Sequence, residues 1–195
     1  MLFRSYSLEL TPQQKASRPL LYIGLASIGM AFAGLTSGYV VTRSSLVAAN
    51  NWQTILLPNW FYLSTIAVVL SSIIMRTAQK RVVGGAKPTA AVAAVLVLGV
   101  LFAVFQVLGW ADLIEQKIYF TGEGSKPEAS WLYVITWFHW LHVLSGIIVL
   151  LLMLVRSTSG YYVGANVLRF TLGAQFWHFL GFLWLYLLGF LLILR

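Results

Sequence analysis

Three histidines are the side chains of this sequence best suited to ligation or proton transfer: His139, His142 and His178. His139 and His142 are spaced i, i+3, so they share one face of a helix. Two chemistries fit such residues. Histidines facing each other from two helices can hold a haem b. Counting inward from the ends of the surrounding apolar runs gives His142 and His178 a comparable depth, so that pair stays open as a ligand set. Alternatively, the imidazoles hydrogen-bond to neighbouring helices, water or lipid head groups. The second reading is favoured, because no second histidine pair exists and no carboxylate accompanies them to orient a ligating ring. Gln106 is a polar residue in an apolar run, where an amide commonly bonds a neighbouring helix. Ser27, Ala31, Gly34 and Gly38 are spaced by four, three and four residues and so form one stripe. Gly34 and Gly38 make a GxxxG pair. Small residues permit close approach of helix backbones, and both a docking face for another subunit and packing within the molecule fit the stripe. Ser64, Ala67 and Ser71 form a weaker one. There is no cysteine, which excludes disulfides, thiolate metal sites, iron–sulfur clusters and cysteine nucleophiles.

The elements that must position these residues follow from composition. The chain of 195 residues is 59% hydrophobic and carries thirteen basic and five acidic residues. A soluble domain of this length carries about 49 charges. The mean hydropathy is +0.83. These values predict an all-α integral membrane protein. A spanning helix needs about 20 mostly apolar residues, and five stretches qualify: about 19–42, 58–75, 88–111, 131–155 and 171–194. None contains Asp, Glu, Lys or Arg. The apolar runs are continuous rather than alternating, which excludes a barrel. A single five-helix membrane domain is expected, with basic linker 76–87 and outer segment 113–130 as its longer connections. The start of the chain lacks the apolar core and small-residue site of a signal peptide.

Orientation follows the basic residues. Arg4, Lys15, Arg18, Arg76, Lys80, Arg81, Lys87, Arg156 and Arg169 fall on one side. Arg43, Lys117, Lys126 and Arg195 fall on the other, with Asp112, Glu115, Glu123 and Glu128. The expectation is a cytoplasmic N-terminus and a periplasmic C-terminus. Trp52, Trp60, Trp110 and Trp131 fall where the outer interface belongs. The net charge of +8 is scattered at the ends of apolar runs, so nucleic acid is not an expected partner. The lack of charges within the spans, and of broken helices in matched halves, argues against a transporter.

The ordered motifs resemble subunit III of haem-copper terminal oxidases of the cytochrome c oxidase type. Phe138-His139-Trp140-Leu141-His142-Val143 with Gly146 resembles that family's F-H-G-x-H-V-x-x-G. Trp177-His178-Phe179 followed by Trp184 resembles W-H-F-x-D-x-x-W. Gly99, Phe102 and Gln106 resemble G-x-x-F-x-x-x-Q. Pro58, Ser64, Thr65, Ser71 and Ser72 follow the P…ST…SS pattern, and Met30, Phe32, Gly34 and Tyr39 follow M-x-F-x-G…Y. The resemblance covers nearly the whole chain and matches the short bacterial form, with five helices rather than seven. It implies a non-catalytic core subunit of a proton-pumping oxygen reductase in the cytoplasmic membrane. This chain would bind no metal or redox cofactor. Haems and copper would sit in subunits I and II. Subunit I would be the main partner, with subunit II, small membrane subunits, structural phospholipids and a respiratory supercomplex as further associations. His139, His142, His178, Gln106 and Trp184 become candidate lipid or subunit contacts. Three family acids are replaced here, by Ile28, Gly109 and Gly181, and the glycines flanking the first histidine by Trp137 and Trp140. A structural role survives those losses better than a proton-carrying one. A quinol-oxidising relative, a nitric oxide reductase accessory protein and a haem b anchor are the alternatives.

Overall fold

The structure is a computed structural model that describes residues 12–122 and 124–194. Arg4, Glu123 and Arg195, used in the charge count above, lie outside the described residues. The chain forms five long helices: α1 (Pro12–Ala48), α2 (Asn59–Val83), α3 (Thr89–Glu115), α4 (Pro127–Thr158) and α5 (Val167–Leu194). All five are long and apolar enough to cross a membrane. In lipid the backbone must satisfy its own polar groups, and continuous helices do so.

Every helix outruns its apolar core. The segment expected as the basic linker 76–87 is mostly helix, because α2 continues to Val83. Arg76, Lys80 and Arg81 therefore ride on its final turns, where cations meet the negative end of the helix dipole. The true linker is short, and Gly85 turns it with φ +81°, a conformation glycine adopts without strain. The outer segment expected over 113–130 shrinks likewise. α3 runs to Glu115, and Pro127 opens α4 at its first position, where its missing N–H costs nothing.

Helices α2, α3, α4 and α5 form a ring in which each touches the next, α2 on α3, α3 on α4, α4 on α5 and α5 on α2. The backbones of the diagonal pairs stay apart, and α5 reaches α3 through side chains alone. α1 lies outside the ring against α4 and α5. Burial follows this plan: α5 is the most enclosed span and α1 the least. An apolar circumference on α5 is thus the consequence of three neighbours rather than of lipid alone. Side chains Thr89 and Ser157 meet at 2.9 Å, so the α2–α3 and α4–α5 connections share one end of the bundle. The α1–α2 and α3–α4 connections line a common cavity at the other.

Candidate functional site

Two tryptophans of α5 fill the centre of the ring. Trp177 and Trp184 are seven residues apart and therefore project from one helix face. Trp184 is fully buried. Its ring meets Phe61 of α2 at 5.7 Å and Phe102 of α3 at 5.4 Å, both edge-on, and stacks on His139 of α4 at 5.4 Å. Trp177 lies against α3 and α4 where both carry glycine. A Cβ at Gly99 would stand 2.6 Å from Trp177 Cη2, and one at Gly146 would stand 3.2 Å from its Cε3. The two rings span the gap that keeps the diagonal helices apart.

Each indole N–H needs an acceptor in a medium without water, and α2 supplies both. Trp184 Nε1 donates to Thr65 Oγ1 at 2.9 Å, and Trp177 Nε1 donates to Ser71 Oγ at 2.9 Å. Those hydroxyls in turn donate to the carbonyls of Phe61 and Val68 on their own helix. Gln106 of α3 donates to Ser64 Oγ at 2.8 Å. The same device recurs at the α1–α2 loop end, where Trp110 donates to Thr136 and Trp131 to Thr42, each at 3.1 Å.

His139 and Trp184 thus meet in the interior, and Gln106 is buried there against Ser64 of α2. His139 is 1% exposed and neither ring nitrogen has a partner. His142 is half-buried against Phe32 of α1 at 5.6 Å. Its Nδ1 lies 2.7 Å from the Phe138 carbonyl, which can only accept, so Nδ1 carries the proton. His178 faces α2 instead, in a groove with Ser72 and Arg76. His142 and His178 therefore have different helices as neighbours, and the structure does not assemble the axial pair a haem b requires. No cluster of three or more His, Cys, Asp or Glu suited to a metal occurs among the described residues.

The stripe on α1 divides. Gly38 packs under Trp131, where a Cβ would stand 2.7 Å from the ring. Ser27, Ala31 and Gly34 are exposed, and nothing lies within 4 Å of a Cβ at Gly34. α1 is held in its second half, by Thr36 against the Tyr186 hydroxyl at 3.2 Å and by Tyr39 donating to the Leu194 carbonyl at 3.1 Å.

Two features escaped the sequence reading. The groove of about 280 Å3 between α2 and α5 has apolar walls and carries Arg76 and His178; the pairing is invisible in a sequence that separates them by a hundred residues. Glu128, counted as an outer flanking charge, is 3% exposed, and neither carboxylate oxygen has a partner. Its place one residue after a helix-opening proline was the only signal, and that pattern is common.

The ring, its outrigger helix and its tryptophan-filled interior define a polytopic helical membrane protein whose recurring sequence motifs are its interior contacts. Residues 39–194 match the family model described as cytochrome c oxidase subunit III, and the chain belongs to that family. Among relatives, a probable cytochrome c oxidase subunit 3 of Nocardia farcinica is 28% identical over 170 residues, covering 84% of this chain and 80% of its own. A probable cytochrome c oxidase subunit 3 of Mycobacterium leprae is 26% identical over 179 residues, covering 89% and 85%. The cytochrome c oxidase subunit 3 of Spodoptera frugiperda is 28% identical over 95 residues. This chain matches 58% of that protein's length and 46% of the length of the cytochrome c oxidase subunit 3 of Pelomedusa subrufa.

Proposed function

We propose that the chain is a non-catalytic subunit III of a bacterial haem-copper oxygen reductase that takes electrons from cytochrome c and pumps protons. It packs beside the haem–copper subunit I, with subunit II as a second neighbour, and those partners hold the haems and copper. One observation carries this reading: the family-like motifs of α2, α3, α4 and α5 converge on one packed interior in a chain that belongs to the subunit III family. The replaced acids support a structural role. Gly109 lies under the Phe61 ring, so packing occupies one of those positions.

Lys87 and the basic residues on the helix ends beside the α2–α3 and α4–α5 connections share one end of the bundle, which supports a cytoplasmic N-terminus and a periplasmic C-terminus in the cytoplasmic membrane. The groove of Arg76 and His178 supports a phospholipid role. A guanidinium at the mouth of an apolar groove suits a phosphate above an acyl chain. Lipid held there would brace the subunit interface during turnover and so sustain proton uptake.

The test is purification of the tagged protein in mild detergent, with partner identification and a reduced-minus-oxidised spectrum. Co-purification with a haem–copper subunit and a copper-binding subunit II is the expected result. A chain that arrives alone with a haem b spectrum defeats the proposal. Substituting Arg76 and His178 by alanine together should lower bound phospholipid and hasten activity loss during turnover.

A further inference from the structure

The proposed role makes no use of a cluster at the end of the bundle that the α1–α2 and α3–α4 connections share. Arg43 Nε, Trp52 Nε1 and both Glu128 oxygens are buried there without a hydrogen-bond partner among the described residues. They belong to three elements: Arg43 to α1, Trp52 to the α1–α2 connection and Glu128 to the first turn of α4. The Arg43 guanidinium lies over the Trp52 ring at 5.7 Å, and Tyr39 meets that ring edge-on at 5.6 Å. Tyr39 is within electrostatic reach of both Arg43 and Glu128. Tyr39, Trp52 and Glu128 line one void of about 10 Å3, the space of a single water. The Glu128 oxygens are sealed from solvent, so their partners must come from inside the fold.

The groups are chemically complementary. An unpaired buried carboxylate is strongly unfavourable, and so is an unpaired buried N–H. Two donors and two acceptors bear those costs side by side. The Tyr39 hydroxyl is already given to the Leu194 carbonyl and the Lys126 ammonium to Gln53, whereas the indole N–H and Arg43 Nε are not. We propose that these residues are a latch: as the α1–α2 connection seats, the Glu128 carboxylate accepts the Trp52 indole N–H and the Arg43 guanidinium, and α1 is locked to the start of α4. The connection has the form of a strap. It leaves α1 at Asn50, which holds φ +57°, and residues 51–58 form neither helix nor strand. Trp52, Ile55 and Leu57 already pack on the core, and the gap left to close is about one water wide.

The latch has leverage because α1 stands outside the ring. Its side-chain ties run from Phe32 to Thr42, and Arg43 extends them by one charged contact. Leu20 lies 23 residues from Arg43, about 34 Å along the axis, so slack at the latch reappears enlarged at the far end of the helix. The latch therefore sets the tilt of α1. It rests on the fold and not on the oxidase partners.

The experiment uses the tagged protein with its co-purifying subunits. Leu20 and Val155 are exposed near the far ends of α1 and α4, and this chain has no cysteine. Nitroxide labels on Leu20→Cys and Val155→Cys report the α1–α4 distance by pulsed dipolar EPR, with the protein lacking both substitutions as background. The closed latch should give one narrow distance peak. Glu128→Gln strands the guanidinium and Arg43→Met strands the carboxylate, so each should replace that peak by a broad one. The double variant strands neither and should broaden it less than either single variant. A single-particle map of the unmodified complex reads the latch directly: Trp52 Nε1 and an Arg43 nitrogen should each lie within about 3.2 Å of a Glu128 oxygen. Separation of Glu128 from either donor in that map overturns the proposal without relying on any variant, and the map decides if a single variant fails to assemble. A narrow peak that survives both single variants, or broadening in the double variant equal to the sum of the two, overturns it as well.

Discussion

Replacing Gly109 with alanine tests the packing account most sharply. A Cβ there would lie 2.4 Å from Phe61 Cε1 and 2.8 Å from Cδ1, where ordinary contact begins at 3.4 Å. The ring must retreat by about 1 Å. It has nowhere to go, because Phe61 is fully buried and its other neighbour, Trp184, is tethered to Thr65. Overpacking of this kind costs about 1–3 kcal/mol. Alanine regains up to about 1 kcal/mol of helix propensity. The expected net loss is about 0–2 kcal/mol, and the loss relative to an alanine substitution without overpacking is about 1–3 kcal/mol. Gly34→Ala is the matched control, since nothing lies within 4 Å of its added carbon; it should be neutral or slightly stabilising. The assay is reversible unfolding in mixed micelles followed by tryptophan fluorescence. Adding Phe61→Leu to Gly109→Ala should recover part of the loss, because a smaller side chain yields the space, and the double-mutant cycle reads that coupling directly. Equal stability of the Gly34 and Gly109 variants, or no coupling to Phe61, would refute the reasoning. The same geometry predicts that Gly109→Glu, which restores a family acid, prevents folding.

Thr65→Val should cost more than Thr65→Ser in the same unfolding assay. The first strands a buried indole N–H, worth about 1–3 kcal/mol, whereas the second keeps the hydroxyl acceptor and loses only a methyl group, worth about 1 kcal/mol. Gln106→Leu combined with Ser64→Ala should be nearly neutral although each residue is fully buried, because both partners of one hydrogen bond leave together; a large loss in micelle unfolding would expose a role beyond packing. Gly181→Asp should be tolerated better than Gly109→Glu, since its Cβ meets only Ser72 and Val68, at 3.2 Å, beside an open groove. Expression and monodispersity of the two acid variants compare them.

The five spans were legible because lipid leaves the backbone few options and runs of about 20 apolar residues are hard to mistake. Their ends were not. Composition marks where charges begin, yet α2 carries Arg76 and Lys80 as further helical turns. Gln106 fitted the rule for a lone amide, and its partner is on the adjacent helix as that rule expects. The tryptophans were illegible on composition alone, because an indole in an apolar helix serves equally at an interface or in a core. Only the arrangement of α2 hydroxyls against α5 distinguishes the two. The stripe on α1 was legible as a stripe and not as two halves, since which part of a helix meets its neighbours depends on tilt. Glu128 was hidden for the same reason: burial of a helix start is decided by loops that periodicity does not describe.

The position of α1 has a consequence for how the molecule is made. It is the earliest of the five helices to leave the ribosome, yet its partners within the chain are α4 and α5, and the Tyr39 hydroxyl waits for the carbonyl of Leu194. At ordinary translation rates of roughly 5–20 residues per second, the intervening chain takes roughly 7–30 s to emerge. During that interval Thr36 and Tyr39 lack their partners on α5. The lack of charged residues in α1 from Pro19 to Thr42 is what makes the wait tolerable. Assembly thus runs against chain order, with α4 and α5 needed to seat α1.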